Sequence, residues 1–136
     1  MIDLNKCELI NFKKYANEGD LVVIENNKEI PFSVKRLFYI SSVPSGSIRG
    51  KHANTKSEFI MICTSGSVKV DVTDSKQKKT FLLDSSDYGL YIPKMIWKDM
   101  YDFSNNCVLL ILSNEYYDNT EYIREFDVYR KLMENY

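Results

Sequence analysis

Short runs of strand-forming residues, each followed by turn-forming residues, constrain the fold more than any other feature of the sequence. In one run Val68, Val70 and Val72 alternate with polar residues, which is the period of a strand with one buried face. The run from 108 to 112 is continuously apolar, as expected of a strand covered on both faces. The runs are Leu21–Glu25, Val34–Ser41, Glu58–Cys63, Ser67–Thr73, Lys79–Leu83, Gly89–Ile92 and Val108–Leu112.

No long helical pattern interrupts these runs, so the sequence predicts an all-β protein built as an antiparallel sandwich or barrel. Only the C-terminal segment shows helical spacing of its apolar residues. There Thr120 is a candidate N-cap for a short helix over Glu121–Glu134. With 136 residues and no linker or repeat, we expect residues 1–136 to form a single domain.

Composition excludes several classes of function. The net charge is −1 and the chain is 44% hydrophobic, so we expect neither a nucleic-acid-binding protein nor a disordered one. No run approaches ~18 apolar residues, which argues against a membrane span. The N-terminal residues lack the apolar core of a signal peptide, and the three cysteines are widely spaced. We therefore expect a cytoplasmic protein with reduced thiols.

The segment 49–58 carries most of the candidate chemistry, including the single histidine of the chain, His52. If the segment is a strand, His52, Asn54, Lys56 and Glu58 share one face. That face is either solvated or lines a cavity, and the apolar residues that follow favour a cavity wall. His52 is either structural or a general base, for which its ordinary pKa near ~6.5 is suited.

Two aromatic segments leave alternatives open. Trp97 is either the largest core residue or a cavity aromatic that packs on a base or sugar, with Lys98 or Arg49 facing a phosphate. In the run from 34 to 41, alternation places Lys35, Leu37 and Tyr39 on one face. Tyr39 is either an interior phenol near the site or an ordinary strand aromatic.

Five stretches, taken in order, resemble the nucleotide-sugar 3,4-ketoisomerases, which are WxcM-like enzymes with an RmlC-like cupin fold. They are Pro31–Ile40, Arg49–His52, Ser65–Val68, Gly89–Trp97 and Glu115–Arg124. The GLYIP-x-MIW and EYYD-x-x-x-YIR segments are the specific parts. The resemblance implies a jelly-roll barrel without metal or cofactor, and a homodimer with exchanged N-terminal strands. It also implies conversion of dTDP-4-keto-6-deoxyglucose into the 3-keto isomer, for 3-amino-3,6-dideoxy sugars of bacterial surface glycans such as the O-antigen of lipopolysaccharide.

The resemblance also implies roles for individual residues. His52 matches the base that moves a proton from C3 to C4, Tyr39 and Asn54 would assist, and Arg49 with Trp97 would hold the nucleotide diphosphate. The other expected substrate contacts are Lys35, Arg36, Glu58 and Tyr91.

The chain departs from the family pattern RG-x-H-x-H-x-x-x-x-Q at two positions. It has Asn54 at the second histidine and Phe59 at the glutamine. A single histidine also excludes a metal site of two histidines and a carboxylate. Because asparagine cannot carry a proton, a non-catalytic cupin that binds a nucleotide sugar stays open as an alternative. A metal-free epimerase of the same type of ketosugar is a second alternative.

Overall fold

The protein is built almost entirely of antiparallel strands. In a computed structural model, which describes residues 2–136, these residues form twelve strands and one α-helix. The elements are β1 (Glu8–Asn11), β2 (Lys14–Ala16), β3 (Asp20–Val22), β4 (Arg36–Ser41), β5 (Arg49–Asn54), β6 (Phe59–Ser65), β7 (Val68–Thr73), β8 (Lys78–Leu83), β9 (Tyr88–Ile92), β10 (Trp97–Tyr101), β11 (Val108–Ser113), β12 (Tyr122–Ile123) and α1 (Phe126–Met133).

Ten of these strands form two five-stranded sheets. The first has the order β1-β9-β6-β11-β4 and the second the order β12-β5-β10-β7-β8. Apart from the β7–β8 hairpin, strands that neighbour each other in a sheet are not consecutive in the chain, as in a jelly roll, and every pair is antiparallel. The remaining two strands, β2 and β3, pair only with each other among residues 2–136. The predicted all-β architecture with a short C-terminal helix is confirmed.

The main core lies between the two sheets. The alternating valines of β7 (Val68, Val70 and Val72) have no exposed surface, as their period predicts. Strand β11 runs between β6 and β4 and contributes Leu109 and Ile111 to this core. Its Leu112 packs instead into a second cluster on the other face of the sheet, so the prediction of a strand covered on both faces also holds.

Helix α1 covers the outer face of the second sheet. Its residues Tyr129 and Met133 pack on Ala53 of β5 and Trp97 of β10. The Tyr129 hydroxyl donates to the carbonyl oxygens of Met95 (2.7 Å) and Thr73 (3.0 Å), which ties the helix to the turn before β10 and to the end of β7. The helix therefore makes the outside of β5 and β10 apolar, and leaves their inner faces to other residues.

The predicted start of the helix at Glu121 is wrong. Asp118, not Thr120, is the capping residue, and its side chain accepts from the Thr120 amide at the start of a single 3-10 turn over Asn119–Glu121. The next two residues pair with β5 as β12, and α1 begins at Phe126. Strand pairing thus takes precedence over the helical spacing of the apolar residues. No helix within residues 2–136 has the length and apolar character needed to span a membrane.

Candidate active site

A cavity of about 410 Å³ opens between the two sheets. One wall comes from β5 and β10, the opposite wall from β4, β6 and β11, and a third from the segment that carries β12. Its lining residues are Phe38, Ile40, Ile48, Arg49, Gly50, His52, Phe59, Met61, Lys98, Met100, Ile111, Tyr117, Tyr122 and Arg124. The lining therefore combines aromatic and aliphatic side chains with two arginines, one lysine and one histidine. It contains no carboxylate.

A β-bulge between β5 and β10 positions the histidine. Lys98 pairs with His52 but the next residue of β10, Asp99, pairs with Gly50, so β5 carries one extra residue. Gly50 and Lys51 both have positive φ, +85° and +57°. A Cβ at Gly50 would lie 2.9 Å from the Lys98 carbonyl oxygen, so the close approach of the strands requires glycine. Such bulges reorient the side chains that follow them.

His52 is held as a neutral imidazole with one nitrogen available. Its Nδ1 lies 2.9 Å from the Gly50 carbonyl oxygen, which can only accept, so Nδ1 carries the proton and Nε2 has the free lone pair. The ring packs edge-on against Tyr122 with the centroids 4.8 Å apart. Burial, and secondly the charge of Lys98, lower the pKa of His52 to about 4. The site therefore presents an unprotonated base at neutral pH.

Lys98 lies beside His52 and is almost completely buried, with 2% of its surface exposed. Its Nζ donates to Asn54 Oδ1 (3.2 Å) and sits 4.8 Å from the centre of the Phe59 ring. Burial lowers the pKa of this amine to about 7. Asn54 itself has no exposed surface and lies behind the cavity wall, where its amide oxygen holds the amine.

Two arginines line the cavity and a third stands behind it. Arg49 and Arg124 belong to the lining, and Arg124 packs over the Tyr122 ring at 4.6 Å. The Arg36 guanidinium lies over the Phe38 and Tyr117 rings, at 5.2 and 5.7 Å. Since arginine stays protonated, these groups make the cavity a favourable place for an anionic ligand such as a diphosphate.

A buried carboxylate fixes the third wall of the cavity. Glu121 accepts from the amides of Lys56 (3.0 Å) and Ser57 (2.8 Å) and from the Ser57 hydroxyl (2.5 Å). Although burial opposes it, these hydrogen bonds lower the pKa of Glu121. The contacts attach the segment that carries Tyr122 and Arg124 to the end of β5. Within residues 2–136, no three His, Cys, Asp or Glu side chains come together as a potential metal site.

Comparison with known proteins identifies the family of this chain. The family model described as FdtA, WxcM-like, C-terminal, matches residues 5–134. The chain belongs to this family. A relative from Aneurinibacillus thermoaerophilus, TDP-4-oxo-6-deoxy-alpha-D-glucose-3,4-oxoisomerase, is 43% identical over 127 residues, or 93% of this chain and 91% of the relative. The resemblance to the 3,4-ketoisomerases is thereby confirmed.

Solved structures agree with this membership. The fold is similar to that of QdtA, a sugar 3,4-ketoisomerase from Thermoanaerobacterium thermosaccharolyticum crystallised with TDP, with a TM-score of 0.94, 40% identity and 98% of each chain covered. A histidine-to-asparagine variant of QdtA was crystallised with TDP-4-keto-6-deoxyglucose. A dTDP-4-dehydrorhamnose 3,5-epimerase from Bacillus anthracis shares the fold alone, at 15% identity, a TM-score of 0.76, and coverage of 90% of this chain and 79% of that one.

Three residues expected in the site of this ketoisomerase family member lie outside the cavity. Trp97 points away from the barrel and packs edge-on against Phe126 at 5.1 Å, because neighbouring residues of β10 face opposite sides. Tyr39 and Lys35 alternate with the inward residues of β4, and Tyr39 is 66% exposed. The alternation predicted for this strand is correct, but Tyr39 lies on its outer face.

The expectation that one strand face continues to Glu58 is also wrong. Strand β5 ends at Asn54, and a bend at Thr55 and Lys56 separates it from β6. Glu58 instead accepts from Tyr91 Oη and from Asn114 Nδ2 (3.0 Å) in a separate depression. These two predicted substrate contacts therefore meet each other rather than His52.

The structure adds Arg124, Tyr122 and Tyr117 to the site, none of which was singled out from the sequence. All three belong to the EYYD-x-x-x-YIR segment, whose density of aromatic and basic residues is unusual for a surface turn. The apolar residues in the second half of this segment have helical spacing, which favours a helix over a cavity wall when only the sequence is known. From the sequence, Lys98 is only a candidate phosphate contact. Its place beside His52 depends on the pairing of β10 with β5, which brings together two residues that are 46 positions apart in the chain.

Proposed function

We propose that this chain converts TDP-4-keto-6-deoxyglucose into the TDP-3-keto-6-deoxyhexose by moving a hydrogen from C3 to C4. The observation that carries the proposal is the neutral His52, with Nε2 free, in a cationic cavity whose lining has no carboxylate. Family membership and the ligands of QdtA support the same substrate.

The proposed chemistry needs one base at the carbon atoms. The 4-keto group acidifies the C3 hydrogen, His52 Nε2 removes it, and the electrons pass into an enediolate across C3 and C4. The imidazolium then returns the proton to C4 on the same face of the sugar, O3 loses its proton as the carbonyl forms at C3, and O4 gains a proton to become a hydroxyl. Positive groups in the lining stabilise the enediolate oxygens, where charge develops in the transition state.

The proposed diphosphate contacts are Arg49 and Arg124, because both line the cavity and neither forms an ion pair within residues 2–136. We expect Arg124→Gln to raise the Kd for TDP by about tenfold, the loss of roughly one charge-assisted contact. Isothermal titration calorimetry measures this. Arg130→Gln, an exposed arginine of α1, is the matched control and should leave the Kd unchanged.

The direct test incubates the folded protein with TDP-4-keto-6-deoxyglucose in D2O and follows the hydrogen at C3 by NMR. Isomerisation predicts exchange at C3 and appearance of the 3-keto sugar. If TDP raises the melting temperature but neither signal changes, the chain is the non-catalytic binding protein that Asn54 leaves open. If instead the product keeps its 4-keto group with inversion at C3 or C5, the chain is an epimerase.

We also propose a cytoplasmic homodimer that serves the synthesis of surface-glycan sugars. The β2–β3 hairpin supports a dimer, since it pairs with neither sheet and exposes Tyr15 (49%) and Leu21 (57%). Because β1 pairs with β9 of the same chain, the exchanged part would be this hairpin alone. Sedimentation should give twice the chain mass, and Leu21→Lys should reduce it to the chain mass.

A further inference from the structure

Lys98 is a buried amine without a counter-ion. Within residues 2–136 no carboxylate oxygen lies within 4.0 Å of its Nζ. A buried lysine that is unpaired costs folding free energy, so its presence in the cavity wall needs an explanation beyond stability.

Strand pairing fixes the amine next to the base. Lys98 and His52 are direct cross-strand partners, and such partners project from the same face of a sheet with their Cβ atoms about 5 Å apart. Both side chains line the cavity. The hydrogen bond to Asn54 Oδ1 holds Nζ on the side of β5 that carries His52. A ligand carbon that meets Nε2 would therefore present its oxygen substituents to Nζ.

The isomerisation moves two protons, and His52 accounts for only one. As C3–H is transferred to C4 by the imidazole, O4 changes from a carbonyl to a hydroxyl and gains a proton. At the same time O3 changes from a hydroxyl to a carbonyl and loses one. Balance thus requires a group that gives a proton to O4 and accepts one from O3.

We propose that Lys98 is the catalytic residue that relays this second proton, a proposal that rests on the function proposed above. Its ammonium donates to O4 as His52 removes the C3 hydrogen, giving an enediol and a neutral amine. The amine then accepts the O3 proton as the imidazolium protonates C4, which restores both residues. No oxidant or further reactant is needed.

Other polar groups of the lining are less suited to the relay. The arginines cannot release a proton, and the amide of Asn54 does not titrate. The Tyr122 hydroxyl accepts from Arg36 Nη1 (3.5 Å), and the Tyr117 hydroxyl donates to Asn119 Oδ1 (3.4 Å) away from the histidine. The Tyr122 ring also packs against His52, but its hydroxyl is engaged by Arg36, whereas Lys98 is the cross-strand partner of His52.

The surroundings of Lys98 allow both of its protonation states. The ionisable groups that face it are His52 from β5, Glu121 from the 3-10 turn and Cys7 from the N-terminal segment. His52 is neutral, Glu121 is occupied by Ser57, and burial raises the pKa of the Cys7 thiol to about 12. With its own pKa lowered by burial to about 7, Lys98 populates both protonation states at neutral pH.

The test separates C3 exchange from product formation in D2O for Lys98→Met and Lys98→Arg. Methionine removes the charge and the proton, so both rates should fall at least about 10²-fold. Arginine keeps a charge that stabilises the enediolate but cannot accept the O3 proton. It should retain exchange within about tenfold of the parent protein while product falls at least about 10²-fold. Lys69→Met, an exposed lysine of β7, is the matched control and should change neither rate.

Three results would overturn the relay: product formation in the methionine variant within about threefold of the parent, product formation in the arginine variant within about tenfold, or an equal loss of both rates with arginine. If the arginine variant does not fold, Lys98→Ala with added ethylamine replaces it, and the relay is wrong if the amine restores no product. A parent protein that binds TDP but shows neither exchange nor product would instead refute the proposed function itself.

Discussion

Two regions of the space between the sheets are built from opposite kinds of residue. The core region, represented by Val68, Val70 and Leu109, is entirely apolar and has no exposed surface. The cavity region, represented by His52 and Lys98, has buried groups that titrate. The same sheets supply both regions, and the change from one to the other takes place along single strands.

This difference separates stability from chemistry. In the core region every buried side chain favours folding through the hydrophobic effect. In the cavity region burial lowers the pKa of His52 and of Lys98, so the charged forms of both residues oppose folding. We therefore expect substitutions in the core region to lower stability without changing the chemistry. Substitutions in the cavity region should change the chemistry without lowering stability.

The largest expected effect is on activity, from His52→Asn. Removing the proposed base should lower isomerisation by at least about 10³-fold, within the usual contribution of general bases. Product formation by NMR measures the loss. The variant should still bind TDP and melt no lower than the parent protein. Turnover above about one tenth of the parent value would show that another group is the base.

In the core region, Leu109→Ala should lower the free energy of unfolding by about 2–5 kcal/mol, because it leaves a cavity between two sheets. Denaturant unfolding measures this. The folded fraction should keep the parent rate of isomerisation. Leu82→Ala on β8, where the side chain is 50% exposed, is the control and should cost less than about 1 kcal/mol. Similar losses from both variants would contradict the assignment of the core.

In the cavity region, Lys98→Met should raise the free energy of unfolding by about 1–4 kcal/mol at pH 7. The pKa of Lys98 is lowered in the folded state, so the cost of its charge is greatest below pH 7 and fades as pH rises towards 10.5. Melting temperatures measured from pH 6 to pH 10 should show the advantage of the variant shrinking. An advantage that is absent at pH 6 would show that the amine is not desolvated.

The smallest expected effect is the acid sensitivity due to His52. The folded protein keeps this imidazole neutral down to about pH 4, whereas in the unfolded chain it protonates below about 6.5. The contribution to stability is therefore full well above pH 6.5 and falls by no more than about 3 kcal/mol as pH decreases to 4. Unfolding curves of His52→Asn and the parent protein should diverge in this interval, and parallel curves would contradict the assigned burial.

The sequence was sufficient to predict most strands and the place of His52 in the cavity wall, because alternation and the RG-x-H motif are local signals. It failed where distant pairing decides. The 3-10 turn at Asn119–Glu121 replaces the start of the predicted helix because Asp118 caps the turn and β12 pairs with β5. From the sequence, Trp97 fits a ligand contact and a core residue equally well. Only the packing of α1 on Trp97 shows that it is a core residue.

The Glu121 contacts have a consequence for the length of the functional protein. Eleven of the twelve strands in residues 2–136 precede Asp118, so a chain cut there would retain nearly all of both sheets. It would nevertheless lose Tyr122 and Arg124, and with them the clamp that holds one side of the cavity to Ser57. The C-terminal segment therefore forms one wall of the cavity, and a shortened chain keeps that cavity only if it includes this segment.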